Sequence, residues 1–246
     1  MKTRKINLDL EGTKAEIVYH RFKDKQIKTF LVNFAKNRKV LSTLDGFKKV
    51  KFVGNHYNPP PLWDFVHKNK REYEEKICTD LGLRLKDVAI LYTGVDMDNI
   101  SIKMQEYEDI KIYACVTAGV KSNAQRIGVD KAGSMEKSGK FMHLGTINII
   151  ILTNASFTDG AMTRGIITVT EAKTQALQDL DIRSSYNPEI QATGTGTDNI
   201  IVVSGSGPKI SYTGGHAKAG ELMAGVVTSA VKEAIFKQQS SDEELT

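Results

Sequence analysis

Between Ile147 and Phe236 the chain alternates an apolar strand, a long amphipathic helix, a second apolar strand and a second helix, and that order leaves few folds open. Ile147 to Thr153 (INIIILT) is nearly continuous β-branched sequence, as expected of a strand covered on both faces. Ile200 to Val203 repeats the pattern. Between them, Asp159 to Asp181 places Met162, Ile166, Val169, Ala176 and Leu180 on one helical stripe. A last helix starts at Gly215 and buries Ala219, Met223, Val226, Val227, Ala230 and Ala234. Strand, helix and strand in succession imply a right-handed crossover between parallel neighbours.

The first quarter has a different rhythm. Ile6 to Leu10, Ala15 to His20 and Gln26 to Phe34 are short alternating runs, and Val40 to Leu44 and Phe47 to Val53 flank an Asp45-Gly46 turn. Together they read as an antiparallel meander over about residues 1–57. Asn55-His56-Tyr57 followed by Pro59, Pro60 and Pro61 reads as a stiff loop. Leu62 to Leu81 reads as one surface helix ending at Gly82, and Asp87 to Thr93, Ile100 to Tyr107 and Ile110 to Val116 as further strands. Residues 128–144 read as a polar surface loop and 238–246 as a frayed tail. The expected fold is α/β (α+β-like): a mixed β-sheet with an N-terminal antiparallel meander and helices packed on the sheet. A single domain of 246 residues, with its core over about 87–237, accommodates all of this.

Composition narrows the function classes. Residues 1–76 carry 18 basic and 9 acidic side chains and the remainder 16 and 20, so a basic first third precedes a mildly acidic second part. The lysines are scattered through strand-like sequence without aromatic interleaving, which reads as a solvated face; no nucleic-acid partner is expected. The sequence has no apolar run of membrane-spanning length and no signal-type segment at its start, so a cytoplasmic protein without a membrane partner is expected. Cys78 and Cys115 have neither disulfide-framework nor zinc spacing and read as buried thiols.

The chemistry-bearing residues cluster around the second half. Ligands in layered α/β proteins bind beyond the carboxyl ends of strands, so Asn154 and Ser156 after the first strand, and Asp159 as N-cap or acid at the head of the helix, are candidates. Lys173 falls within an apolar stripe; the sequence favours a snorkelling ammonium, with pairing to a carboxylate beneath a site as the alternative. Thr193-Gly-Thr-Gly-Thr-Asp-Asn199 precedes a strand instead of opening a helix, which argues against a phosphate loop; it suits a ligand rich in amides or hydroxyls, with a tight strand-to-strand connection as the plainer alternative. His216, at a helix start where the dipole favours a neutral ring, could act as a base or simply lie at the surface. Arg183, Ser184 and Ser185 form a polar turn in which an Asp to Arg pair is the plainer explanation. Two amide-cleaving mechanisms stay open: Ser156, Ser184, Ser185, Thr195 or Thr197 attacking with His216 as base, or Asp159 or Asp198 activating water.

Asn123-Ala124 with Arg126, the run from Gly145 to Tyr186, QATGTGTDNIIVVSG and YTGGHAKAGEL together resemble the adenosylcobinamide amidohydrolase family of archaeal and some bacterial corrinoid salvage. The resemblance is densest from about Tyr113 to Ala234, weaker through Val40 to Tyr57 and Val88 to Asp96, and shows little match over Met1 to Lys39 and Val129 to Leu144. Members often carry an acid where this chain has Gly128-Val129, which makes Asp130 the candidate replacement. The resemblance implies hydrolysis of the amide joining aminopropanol to a corrin propionyl arm, giving adenosylcobyric acid. His216, Asp198, Asp159 and Ser156 are then the catalytic candidates. Asn123, Arg126, Asn154, Lys173, Arg183, Ser184, Ser185, Thr195, Thr197 and Asn199 are the substrate-binding ones. The expected partner is a small-molecule corrinoid, with cobalt entering only as part of it and no cofactor or metal of the protein's own. The oligomeric state is left open, and a non-catalytic corrinoid carrier is the alternative.

Overall fold

A computed structural model describes residues 1–132 and 146–243. Four strands form the N-terminal meander: β1 (Lys2–Ile6), β2 (Thr13–Phe22), β3 (Lys25–Ser42) and β4 (Gly46–Tyr57). Then come α1 (Trp63–Lys68), α2 (Lys70–Asp80), β5 (Val88–Thr93), β6 (Ser101–Tyr107), β7 (Ile110–Ala118), β8 (Ala124–Gln125), β9 (Ile147–Thr153), β10 (Ser156–Phe157), α3 (Asp159–Asp179), β11 (Gly194–Thr195), β12 (Asn199–Val203), β13 (Lys209–Ile210) and α4 (Lys218–Glu243). Among the described residues the main sheet has nine strands in the order β1-β2-β3-β12-β9-β7-β6, with β4 against the other edge of β3 and β5 beyond it. The meander is antiparallel, whereas β9 and β12 are parallel neighbours, so the expected mixed α/β sheet with helices packed on it is the fold observed.

The β-branched run of β9 is buried on both faces because two cores need it. Ile147, Ile149 and Ile151 pack with Met162, Val169 and Leu177 of α3 and Met223, Val226 and Val227 of α4. Ile150 and Leu152 point the other way, into the curl of the sheet, against Phe30, Val32, Val53 and Leu91. Each fully buried isoleucine contributes about 1.5–3 kcal/mol. Among the described residues no helix is long and apolar enough to cross a membrane.

Several local expectations are corrected. Gln26 to Phe34 and Val40 to Ser42 belong to one 18-residue strand, β3, with Thr43 and Leu44 in the turn beyond it, and its register against β4 shifts between Asn33 and Arg38. That irregularity lets one edge of β3 pair first with β2 and then with β12. β1 ends at Ile6, and Leu8 and Leu10 are buried in the loop beyond it. Asn55, His56 and Tyr57 are not loop but the end of β4. The surface helix is two helices broken at Asn69, whose side chain caps the Phe65 carbonyl at 3.0 Å. Thr158, not Asp159, is the N-cap of α3, with its hydroxyl 3.2 Å from the Ala161 amide. Residues 238–243 continue α4 instead of fraying: Ser241 Oγ donates to Asn99 Oδ1 at 3.0 Å. Residues 133–144 of the expected surface loop, and the last three of the expected tail, lie outside the described residues.

α2 covers a buried polar chain on the outer face of the meander. His20 Nε2 lies 2.9 Å from Thr29 Oγ1, which lies 2.7 Å from His56 Nδ1, and His56 Nε2 lies 2.8 Å from the Tyr73 hydroxyl. His20 Nδ1 has no hydrogen-bond partner.

Candidate functional site

A dense polar cluster lies at the amino ends of β9 and β12, where Asn148 and Asn199 stand side by side. Its hub is the Asp198 carboxylate. One oxygen accepts from Thr195 Oγ1 at 2.5 Å and the Ile147 amide at 3.1 Å; the other accepts from the Thr195 amide at 3.1 Å and from the Lys173 ammonium. The side chains of Lys173 and Asp198 are only 8 % and 15 % exposed. Lys173 therefore pairs beneath the loop instead of snorkelling. Its position on α3, more than three turns from the helix start, carries it along the sheet to this end.

Backbone fit around the pair is close. A Cβ on Gly194 would lie 2.5 Å from both Asp198 Oδ2 and Lys173 Nζ. Gly194→Ala is expected to push the two charges apart and lower the thermal midpoint by several degrees, read by circular dichroism; an unchanged midpoint would mean that the loop has slack.

A second layer frames the hub. β8 pairs with β11, and the side-chain amides of Asn123 and Gln125 lie over Gly196, whose added Cβ would sit 3.1 Å from Asn123 Oδ1 and 3.3 Å from Gln125 Nε2. Asp130 accepts from the Arg126 amide at 2.7 Å and from Ser184 Oγ at 2.6 Å, tying the segment after β8 to the 184–187 turn. Ser185 exchanges two bonds with Ala124, its amide donating to the carbonyl and its Oγ accepting from the amide. Arg126 donates to the Gln191 carbonyl at 3.2 Å. Arg183 pairs with Asp181, as the plainer explanation has it.

Beneath the hub is a buried row that the sequence did not reveal. Asn148 donates both amide protons, to Asn55 Oδ1 and to the Tyr92 carbonyl, each at 2.9 Å. Asn55 donates to Thr117 Oγ1 at 2.8 Å. Thr146 Oγ1 donates to the Thr197 carbonyl at 2.5 Å, and Asn199 Nδ2 donates to the same carbonyl at 2.9 Å. One asparagine inside the INIIILT run was the available signal, since a polar side chain in a strand covered on both faces must find partners.

The four remaining candidates are elsewhere. Asn154 follows the carboxyl end of β9, about 20 Å from Asn148 at ~3.3 Å per strand residue. There it accepts from the Lys111 amide and donates to the Asp109 carbonyl, closing the β6–β7 hairpin. The Ser156 amide donates to the Pro208 carbonyl, and Asp159 pairs with Lys39. His216 is exposed, in the turn before α4 and edge-on to Tyr212 with ring centroids 6.0 Å apart. Asn154 stands beyond the carboxyl end of β9 and Asp198 at the amino end of β12, so the two do not meet. α3 spans the sheet's length, so residues at its head cannot reach a cluster served from its middle. A groove of about 360 Å³, lined in part by Phe34, Arg38, Lys111 and Asn154, opens at that opposite end. Among the described residues no three His, Cys, Asp or Glu side chains are grouped to hold a metal ion. Burial pushes the thiol pKa of both Cys78 and Cys115 upward, as expected of inert buried cysteines.

The family model of CbiZ, adenosylcobinamide amidohydrolase, matches residues 13–243. The chain belongs to the adenosylcobinamide amidohydrolase family. It is 31% identical over 192 residues to the adenosylcobinamide amidohydrolase of Methanosarcina mazei, covering 74% of this chain and 78% of that one. It is 49% identical over 224 residues to protein MJ1613 of Methanocaldococcus jannaschii, covering 87% and 88%. The crystal structure of the PH0078 protein from Pyrococcus horikoshii aligns with a TM-score of 0.47 at 13% identity, over 94% of this chain and 84% of that one. The family span includes both ends of the sheet, so the choice between them rests on the chemistry of each.

Proposed function

We propose that this member of the adenosylcobinamide amidohydrolase family cleaves the amide between aminopropanol and the corrin propionyl arm of adenosylcobinamide, releasing aminopropanol and adenosylcobyric acid for re-entry into cobamide synthesis. The observation that carries this reading is the Thr195–Asp198–Lys173 constellation within the family-matched span. Thr195 Oγ1 already donates its proton to a carboxylate whose orientation is fixed by an ammonium and two backbone amides. In the proposed reaction Asp198 takes that proton as Thr195 Oγ forms a bond to the carbonyl carbon. The C–N bond then breaks, the proton passes to the departing amine, and water hydrolyses the resulting ester. Asn123 and Gln125 bring side-chain amides of the kind that recognise the acetamide and propionamide arms of a corrin. Cobalt belongs to the substrate in this scheme.

Incubation with adenosylcobinamide should release aminopropanol, and Asp198→Asn should slow release by about 10²–10⁴-fold while leaving corrinoid binding measurable by visible titration. Turnover by Asp198→Asn at the wild-type rate would remove Asp198 from the mechanism. One observation favours a second reading, a corrinoid carrier without turnover: all four acceptor bonds of Asp198 are made in the resting structure, as in a purely architectural clamp. Binding without any aminopropanol would establish that reading.

A further inference from the structure

We infer that Thr146, backed by Asn148, is a positioning residue that sets the Asp198 loop from inside the sheet; this rests on the proposed hydrolysis only for its kinetic consequence. Thr146 sits just before β9, buried, and touches neither Lys173 nor Thr195 in any hydrogen bond. Its single hydroxyl proton goes to the Thr197 carbonyl, which belongs to the peptide unit leading into Asp198. That carbonyl receives a second donor, Asn199 Nδ2, so both of its lone pairs are engaged.

Asn148, two residues along and on the same face, holds the start of β9 in place. Its two amide protons bridge β4 through Asn55 and β5 through the Tyr92 carbonyl. Asn55 passes the connection to β7 through Thr117. The Thr197–Asp198 peptide is thereby referenced to four strands, not to its own flexible Gly-Thr loop. Asn55, Thr117 and Asn148 are fully buried, where polar groups are costly unless paired, so a chain needing only stability would do as well with apolar side chains here. The two amides hydrogen-bonded to Asp198, those of Ile147 and Thr195, report the same geometry without any substrate.

The test compares Thr146→Val, which keeps shape and loses the hydroxyl, with Thr146→Ser, which keeps the hydroxyl. In aminopropanol release, Thr146→Val should lower kcat between about 10- and 100-fold with KM within about twofold, and Thr146→Ser should restore most of kcat. In parallel, amide hydrogen exchange at Ile147 and Thr195 should accelerate in the valine variant and not in the serine one. Wild-type kcat in Thr146→Val, equal loss in both variants, or unchanged exchange at the two amides would overturn the inference. Should the wild-type protein release no aminopropanol, the hydrolysis reading fails by itself, and the exchange comparison still decides whether Thr146 sets the loop.

Discussion

Lys173→Met is expected to lower the unfolding free energy by about 3–5 kcal/mol, because it keeps the apolar stem and leaves Asp198 as an uncompensated buried charge. Turnover should vanish in the same variant, since the carboxylate loses the ammonium that fixes its orientation. Combining it with Asp198→Asn removes both charges. The double variant should recover stability to within about 2 kcal/mol of wild type while remaining inactive. Urea titrations of the four proteins at neutral pH measure the cycle. A single variant within about 1 kcal/mol of wild type would show that the pair is not closed in solution, and recovery of activity in the double variant would separate both residues from catalysis.

Acid should weaken the fold through a different region. Burial holds His20 at a pKa of about 4, below the usual histidine value of 6.5, and drives His56 down as well, with the neighbouring His20 adding to it. The folded chain keeps these rings neutral, whereas the unfolded chain takes up their protons below pH 6.5. Their contribution is therefore fully present above about pH 6.5, declines as pH falls toward 4, and changes no further for His20 below that. His20 alone accounts for about 3 kcal/mol over this window. His20→Gln, which cannot titrate, should flatten the fall in stability between pH 6.5 and 4. An identical pH profile in wild type and variant would mean that His20 is solvated.

Those expectations differ in how much of their basis could be seen in the chain itself. Local chemistry was legible: Asp45-Gly46 makes a hairpin with Gly46 at φ +70°, Gly82 ends α2 at φ +69°, and the β-branched run of β9 is covered on both faces. What depended on long-range geometry was not. Residues 35–39 look like a turn because they are mostly polar, yet pairing with β4 and β12 holds β3 together across them. The apolar spacing from Leu62 to Leu81 is continuous, so the break at Asn69 leaves little trace in the pattern. Lys173 stood out as a charge in an apolar stripe, but its partner is set by the direction in which α3 crosses the sheet. The same crossing explains why the Gly-Thr-Gly-Thr-Asp segment and Lys173 come together while Asn154 and Asp159 do not join them. Asn148 and Thr146 were hidden because a strand reading attends to apolar neighbours and passes over the polar residue among them.

The position of β12 also bears on how the chain folds. Ile201 pairs with Ser42 on one side and Ile150 on the other, so a strand that follows both of its neighbours in the sequence is inserted between them. Until it arrives, the Val40-Leu41 and Ile149 to Leu152 segments present unzipped backbone to anything nearby. A chain stopping short of Asn199 should therefore aggregate more readily than one that includes β12.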